Sequence, residues 1–285
     1  MTKFNAYAEV TATILEAMKS GTAPWVKPWR DVPNLGIPHN VFSGKHYRGI
    51  NSILGWIAAE KYGFASQGWL TYKQATELGG NVKKGEKCRL QVVFFKQLDV
   101  KDKNAKGEDV VKKIPLIRLA SVFNVEQCEG LKLPKRTMPE LRQTAADQLV
   151  KTIADKLKMV LKIGGNRACY IPALDIVQMP PAGAFNEDAT ALATYFHEAG
   201  HWTGHKTRLD RDLSGRFGNA SYAFEELVAE LTSAFLCAAN RVNGSLQHPE
   251  YLRNWISVLE NDDKAFMKAA SLAQAAADYI SERAE

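Results

Sequence analysis

The sequence predicts an α+β protein in two parts. Residues 1–130 read as a small α+β module around one long β-hairpin, and residues 137–285 as a mainly helical module with short strands. Three observations predict this. Two runs rich in β-branched and aromatic residues, 88–98 and 113–125, flank a polar, lysine-rich link, the layout of a long hairpin. Residues 189–205, 222–240 and 249–283 instead space their apolar residues for helices. Charge divides at the same place. Residues 1–130 carry 19 Lys and Arg against 12 Asp and Glu, and residues 131–285 carry 18 against 19, so the formal surplus of +6 belongs to the front. A positive front is the expected footprint of a polyanion partner such as nucleic acid.

The 285 residues, 46% of them hydrophobic, can supply sizeable cores. No run approaches the ~18 uncharged apolar residues that a membrane span needs. Met1-Thr2-Lys3-Phe4 has no signal-peptide layout, so a soluble, cytoplasmic protein with no membrane partner is expected. Cys88, Cys128, Cys169 and Cys237 form no C-x-x-C pair, which argues against a disulfide framework or a cysteine zinc site.

In chain order, residues 4–20 form an amphipathic helix with Val10, Ile14, Leu15 and Met18 on one stripe and Gly21 as its stop. Trp25, Lys27, Trp29 and Arg30 then interleave aromatics with cations and prolines. The tryptophans could stack on bases with Lys27 and Arg30 near the phosphates, or anchor a loop to the core. A turn carrying Lys45, Tyr47 and Arg48 precedes a helix near 52–62. Trp69, Tyr72 and Lys73 lead into a short helix at 74–78, and Lys83, Lys84 and Lys87 make a basic turn before the hairpin. The link at 99–109 is expected to be an exposed, mobile tip. Beyond a boundary near 130–136, Thr137 and Glu140 have capping-box spacing and open a helix to about residue 161. Residues 168–171 and 175–179 are short strands, and Pro180-Pro181 blocks further pairing.

The chemistry gathers at His197-Glu198-Ala199-Gly200-His201. Histidines four apart on a helix share a face and can present two imidazoles to one ion, with Glu198 placed to act as general base toward an activated water. The pattern arises by chance in roughly one chain of this length in a hundred. Here three of the six histidines fall within 197–205, the residues before them read as helix, and carboxylates follow on a second helix. A catalytic Zn2+, or another divalent ion, takes two His and one carboxylate. Glu226 is the expected third ligand and Glu230, on the same face, the acceptor for a ligand N–H, although the two roles could exchange. Glu225 points about 100° away and reads as solvated. Tyr222 and His205 are candidates for oxyanion stabilisation. The pattern with a third histidine six residues after the second fails, because that position is Thr207. The E-x-x-x-E pair instead resembles the gluzincin arrangement, with Glu230 where Asp is usual. In a metallopeptidase such a short edge strand would lie above the active-site helix and bind substrate by strand addition.

The run from Tyr195 to His205, followed by Arg208-Leu209 and by Tyr222 to Leu231, resembles the zincin-like metallopeptidase domain of polyvalent proteins. Tyr47-Arg48-Gly49-Ile50-Asn51, Trp69-Leu70-Thr71 and Val82-Lys83-Lys84-Gly85-Glu86 are similar to the N-terminal single-stranded-DNA-binding domain of ArdC antirestriction proteins of conjugative plasmids. That resemblance implies a protein that binds single-stranded DNA, with double-stranded DNA as a further ligand. It also implies a zincin-like metal domain and protection of incoming plasmid DNA from host restriction, with a protein of the restriction system as one candidate substrate. Two other readings remain open: a DNA-shielding protein with a structural, non-hydrolytic metal, and a housekeeping aminopeptidase with an incidental basic domain.

Overall fold

The computed structural model describes residues 5–19, 25, 36–103, 109–133, 146–215, 219–242 and 249–284. Lys27, Trp29, Arg30 and the capping box at 137–140 lie outside the described residues.

Helix α1 (Ala6–Lys19) starts where the Asn5 side chain accepts the amides of Tyr7 and Ala8 at 3.1 and 3.4 Å. It buries Val10, Ile14 and Met18, one turn apart. Strand β1 (His39–Asn40) pairs in parallel with β2 (Gly68–Leu70). Antiparallel pairing to β5 (Asp109–Asn124) and then β4 (Leu90–Lys103) completes a sheet ordered β1-β2-β5-β4. Helix α2 (Ile50–Lys61) lies against β4. The Asn51 side chain donates to the Val93 carbonyl at 2.9 Å and accepts the Val93 amide at 2.7 Å, so it pairs with the strand backbone as a further strand would. Helix α3 (Tyr72–Glu77) begins with a reciprocal capping box between Thr71 and Gln74. Strands β3 (Asn81–Val82) and β6 (Cys128–Glu129) form a second small ribbon.

The hairpin is longer than the sequence predicts. Pairing runs on to Lys103 with Asp109, through most of the stretch expected to be a tip. A two-stranded ladder satisfies backbone groups whatever the side chains, so polar composition hid it.

The rear comprises α4 (Ala146–Leu157), β7 (Val160–Ile163), β8 (Cys169–Ile171), β9 (Ile176–Met179), α5 (Asp188–Thr203), α6 (Ala220–Asn240), α7 (Pro249–Asn261) and α8 (Ala265–Ala284). Helix α4 stops four residues before the predicted end. Lys158 turns left-handed at φ 54°, and the amides of Lys158 and Met159 bond back to Asp155 and Ala154. The apolar rhythm continues through Met159, Val160 and Leu161, but from Val160 onward the chain is a strand. Strand β7 runs parallel to β9, and β8 runs antiparallel to it, leaving β8 at an edge.

One continuous core joins front and rear, containing Val10, Ile53, Trp56 and Leu90 together with Leu192, Phe196, Phe235 and Phe266. The Trp56 and Phe235 rings stand 6.0 Å apart. Arg48 ion-pairs with Asp278, and the Gly49 amide donates to Gln274 Oε1 at 2.9 Å, which seats the front on α8. Gly49 adopts φ 53°, a conformation that L side chains rarely take, while a Cβ there would lie 3.5 Å from the Ala270 carbonyl oxygen. No described helix is long and apolar enough to cross a membrane.

Candidate metal centre

Helices α5 and α6 approach closely where Gly200 faces Ala229. A Cβ at Gly200 would stand 3.2 Å from Ala229 Cα and 3.3 Å from Thr232 Cβ. That approach brings side chains of the two helices together. The Nε2 atoms of His197 and His201 lie 3.2 Å apart. Glu226 closes the triangle, with Oε2 3.4 Å from His197 Nε2 and Oε1 3.5 Å from His201 Nε2. Tetrahedral donors around zinc at ~2.0–2.1 Å stand about 3.3–3.4 Å from one another, so the three residues fit a divalent ion. Gly200→Leu is expected to lower stability by about 1–3 kcal/mol by wedging the helices apart. Metal affinity should fall with it, and urea denaturation and metal titration check the pair of effects.

The cluster favours positive charge. Burial works to lower the His201 pKa, but its hydrogen bonds to Glu225 and Glu226 and the charge of Glu198 push it up to about 10. Burial likewise works to raise Glu226, yet His197 and His201 hold its carboxyl well below the usual range. A cation bound between these groups would meet the same field.

Behind each imidazole stands a carboxylate. Glu230 Oε2 lies 3.9 Å from His197 Nδ1. Glu225 Oε1 lies 3.3 Å from His201 Nδ1. Glu225 is therefore not the solvated carboxylate that the sequence suggests, and only 7% of its surface is exposed. Arg211, from the loop between α5 and α6, explains this. Its guanidinium grips Glu225 at 2.7 and 3.1 Å while donating to the Gly200 carbonyl at 2.7 Å and to Thr203 Oγ1 at 2.8 Å. One arginine thus ties the last turn of α5 to α6 and steadies His201 through Glu225.

Glu198 is 9% exposed, and its Oε2 accepts the Tyr170 amide of β8 at 2.7 Å. The edge strand therefore turns its backbone toward the cluster, across a cleft of about 410 Å3 that Arg167, Cys169 and Tyr222 also line. Arg208 pins β8 in place. It ion-pairs with Asp175, donates to the Trp202 carbonyl at 2.6 Å and stacks 3.8 Å above the Trp202 ring, while the Tyr170 hydroxyl donates to Asp175 at 2.9 Å. The Arg208 hydrogen bond holds the Asp175 carboxyl below its ordinary pKa, against the opposing effect of burial. Of the two oxyanion candidates, Tyr222 lines the cleft and His205 does not. Helix α5 ends at Thr203, and His205 sits in the following turn with Nδ1 2.9 Å from Thr207 Oγ1.

The candidate DNA contacts divide between core and surface. Trp25 is 3% exposed and packs 5.8 Å from Trp255 and 5.4 Å from Phe266, so its side chain belongs to the rear core. Trp69 is fully buried, edge-on to Phe64. Neither indole is open to a base. Tyr47 is half-buried, and Arg48 is engaged by Asp278. Lys45, Tyr72, Lys73, Lys83, Lys84 and Lys87 are exposed, Lys73 lying 3.7 Å from Glu77 and Lys83 donating to the Glu126 carbonyl at 2.9 Å. Phe42, which the sequence reading did not single out, is 45% exposed on the turn after β1. An Asn40–Gln74 hydrogen bond of 2.9 Å joins that turn to α3, which carries Tyr72 and Lys73.

Comparison with known proteins agrees with this architecture. Residues 4–123 match the family model of the N-terminal domain of anti-restriction factor ArdC, and residues 146–272 match that of zincin-like metallopeptidases. Crystal structures of the antirestriction protein ArdC from plasmid R388 superpose with TM-score 0.81. The metal-free form is 36% identical, over 99% of this chain and 98% of that one. The chain belongs to the ArdC family. A second R388 structure, 37% identical, contains Mn(II). The Sinorhizobium fredii protein y4eC, described as uncharacterized, is a 38% identical relative over 98% of this ArdC-family chain and 92% of its own length. Two DNA primases TraC of Escherichia coli are 36% and 35% identical, and the chain spans 19% and 27% of their lengths.

Proposed function

We propose that this chain is an antirestriction protein that protects incoming plasmid DNA, holding single-stranded DNA on its basic front and carrying a divalent-metal peptidase centre between α5 and α6. The convergence of His197, His201 and Glu226, with Glu198 beside them, carries the reading. These three would hold Zn2+ or Mn2+, and the ion, when bound, supplies Lewis acidity toward a scissile carbonyl and its attacking water. Glu198 takes the water proton and delivers it to the leaving amine. The Tyr170 amide fixes one oxygen of Glu198 and leaves the other for proton transfer. Glu225 sets the His201 tautomer, Glu230 supplies negative charge behind His197, and Tyr222 faces the developing oxyanion.

On the front, the Phe42 and Tyr72 rings offer stacking faces beside Lys45 and Lys73, with Lys84 and Lys87 available to phosphates. Four lysines at phosphates of a single strand give a slope of about −3 for log affinity against log salt. Tyr72→Ala should weaken binding by about 1–3 kcal/mol if a base stacks there. Anisotropy of a labelled oligonucleotide reads both effects, and an affinity indifferent to salt contradicts the phosphate contacts.

A second reading has one observation in its favour. Glu198 is already engaged by the edge strand, as it would be in a closed site whose metal is structural. Restriction protection in a recipient cell separates the two. Equal protection by wild type and Glu198→Gln supports shielding, and loss in the variant supports hydrolysis.

A further inference from the structure

We propose that Arg167 makes the cleft selective for peptides bearing an acidic side chain a few residues from the reacting centre. This rests on the reading above that the cleft accepts a peptide.

Two observations carry it. The first is charge. The charged side chains lining the cleft, besides the two histidines, are Glu198, Glu225, Glu226 and Arg167. Glu225 is matched by Arg211. A divalent ion matches Glu198 and Glu226 together. Glu230 stands behind His197, 2% exposed and outside the lining. Arg208 is matched by Asp175, and among the described residues no carboxylate pairs with Arg167. The loaded cleft therefore presents one unmatched charge, a guanidinium, which favours a carboxylate partner.

The second is register. Tyr170 stands opposite Val177 in the antiparallel pair, yet its amide goes to Glu198, so the outward edge of β8 is centred on the metal cluster at Tyr170. Arg167 precedes Tyr170 by three residues, roughly 10 Å along an extended chain. Its carbonyl accepts from Gln178 Nε2 at 3.5 Å, which ties its backbone to β9 and leaves the exposed side chain at the cleft mouth. A strand laid along β8 with its centre at Tyr170 would pass Arg167 two to four residues away.

The test uses full-length Glu198→Gln protein loaded with zinc, so that binding is read without turnover. Two fluorescent peptides of equal length carry either Asp or Lys at positions two to four from the centre. The Asp peptide is expected to bind about three- to five-fold tighter, as for a solvent-exposed ion pair, and the order should reverse in Arg167→Glu. An unchanged preference, or no binding of either peptide, overturns the inference. So does displacement of the peptide by a single-stranded oligonucleotide whose own binding weakens equally in Arg167→Glu, which would place Arg167 on the DNA surface. If wild type cleaves neither peptide while Arg167-dependent binding persists, hydrolysis fails and this inference stands.

Discussion

Glu198→Gln is expected to cut peptide hydrolysis by a factor of ~10²–10⁴ with metal content unchanged. Gln keeps the length of the side chain, and its carbonyl still accepts the Tyr170 amide that now meets Glu198 at 2.7 Å, so the β8 edge stays in place. What is lost is a basic oxygen in a site that is 9% exposed, where bulk water is a poor substitute. Both histidines keep their places on α5 in the variant, and His201 also keeps its contact with Glu225 at 3.3 Å. Turnover assays paired with elemental analysis read both halves of the expectation. A variant that hydrolyses as fast as wild type would remove Glu198 from the mechanism.

Glu225→Ala is expected to be the most destabilising single change in the centre, by about 3–5 kcal/mol, because it strands a buried guanidinium. The Arg211 side chain is 4% exposed, and two of its hydrogen bonds go to Glu225. Its remaining bonds, to the Gly200 carbonyl and Thr203 Oγ1, leave its charge uncompensated. His201 loses its orienting carboxylate in the same step, so metal affinity should fall about 10–100-fold. Glu225→Gln should lie between, since an amide oxygen still accepts from Arg211 but carries no charge. Chemical denaturation and metal titration give the two numbers. A loss of stability under about 1 kcal/mol, typical of an exposed pair, would contradict the burial argument.

The centre was legible where helix periodicity alone decides geometry. His197 and His201, and Glu226 and Glu230, are each one turn apart, and the structure brings His197, His201 and Glu226 within reach of one ion while Glu230 stands 3.9 Å from His197 Nδ1. Glu225 was misread because its environment comes from Arg211, fourteen residues away on a loop that periodicity does not place. The end of α4 was missed because a left-handed lysine, rather than a glycine, stops it. Among the residues that local composition singled out as candidate DNA contacts, Lys45, Tyr72 and Lys73 are exposed. Composition could not say which aromatic faces inward. Trp25 and Trp69 carry the largest apolar area and went to the core, while Phe42 stayed outside.

Anomalous diffraction from crystals grown with Zn2+ or Mn2+ tests the central claim most directly. A single strong peak within bonding distance of His197 Nε2, His201 Nε2 and a Glu226 carboxylate oxygen is the predicted result. A peak at another set of donors, or none at these three, would contradict it.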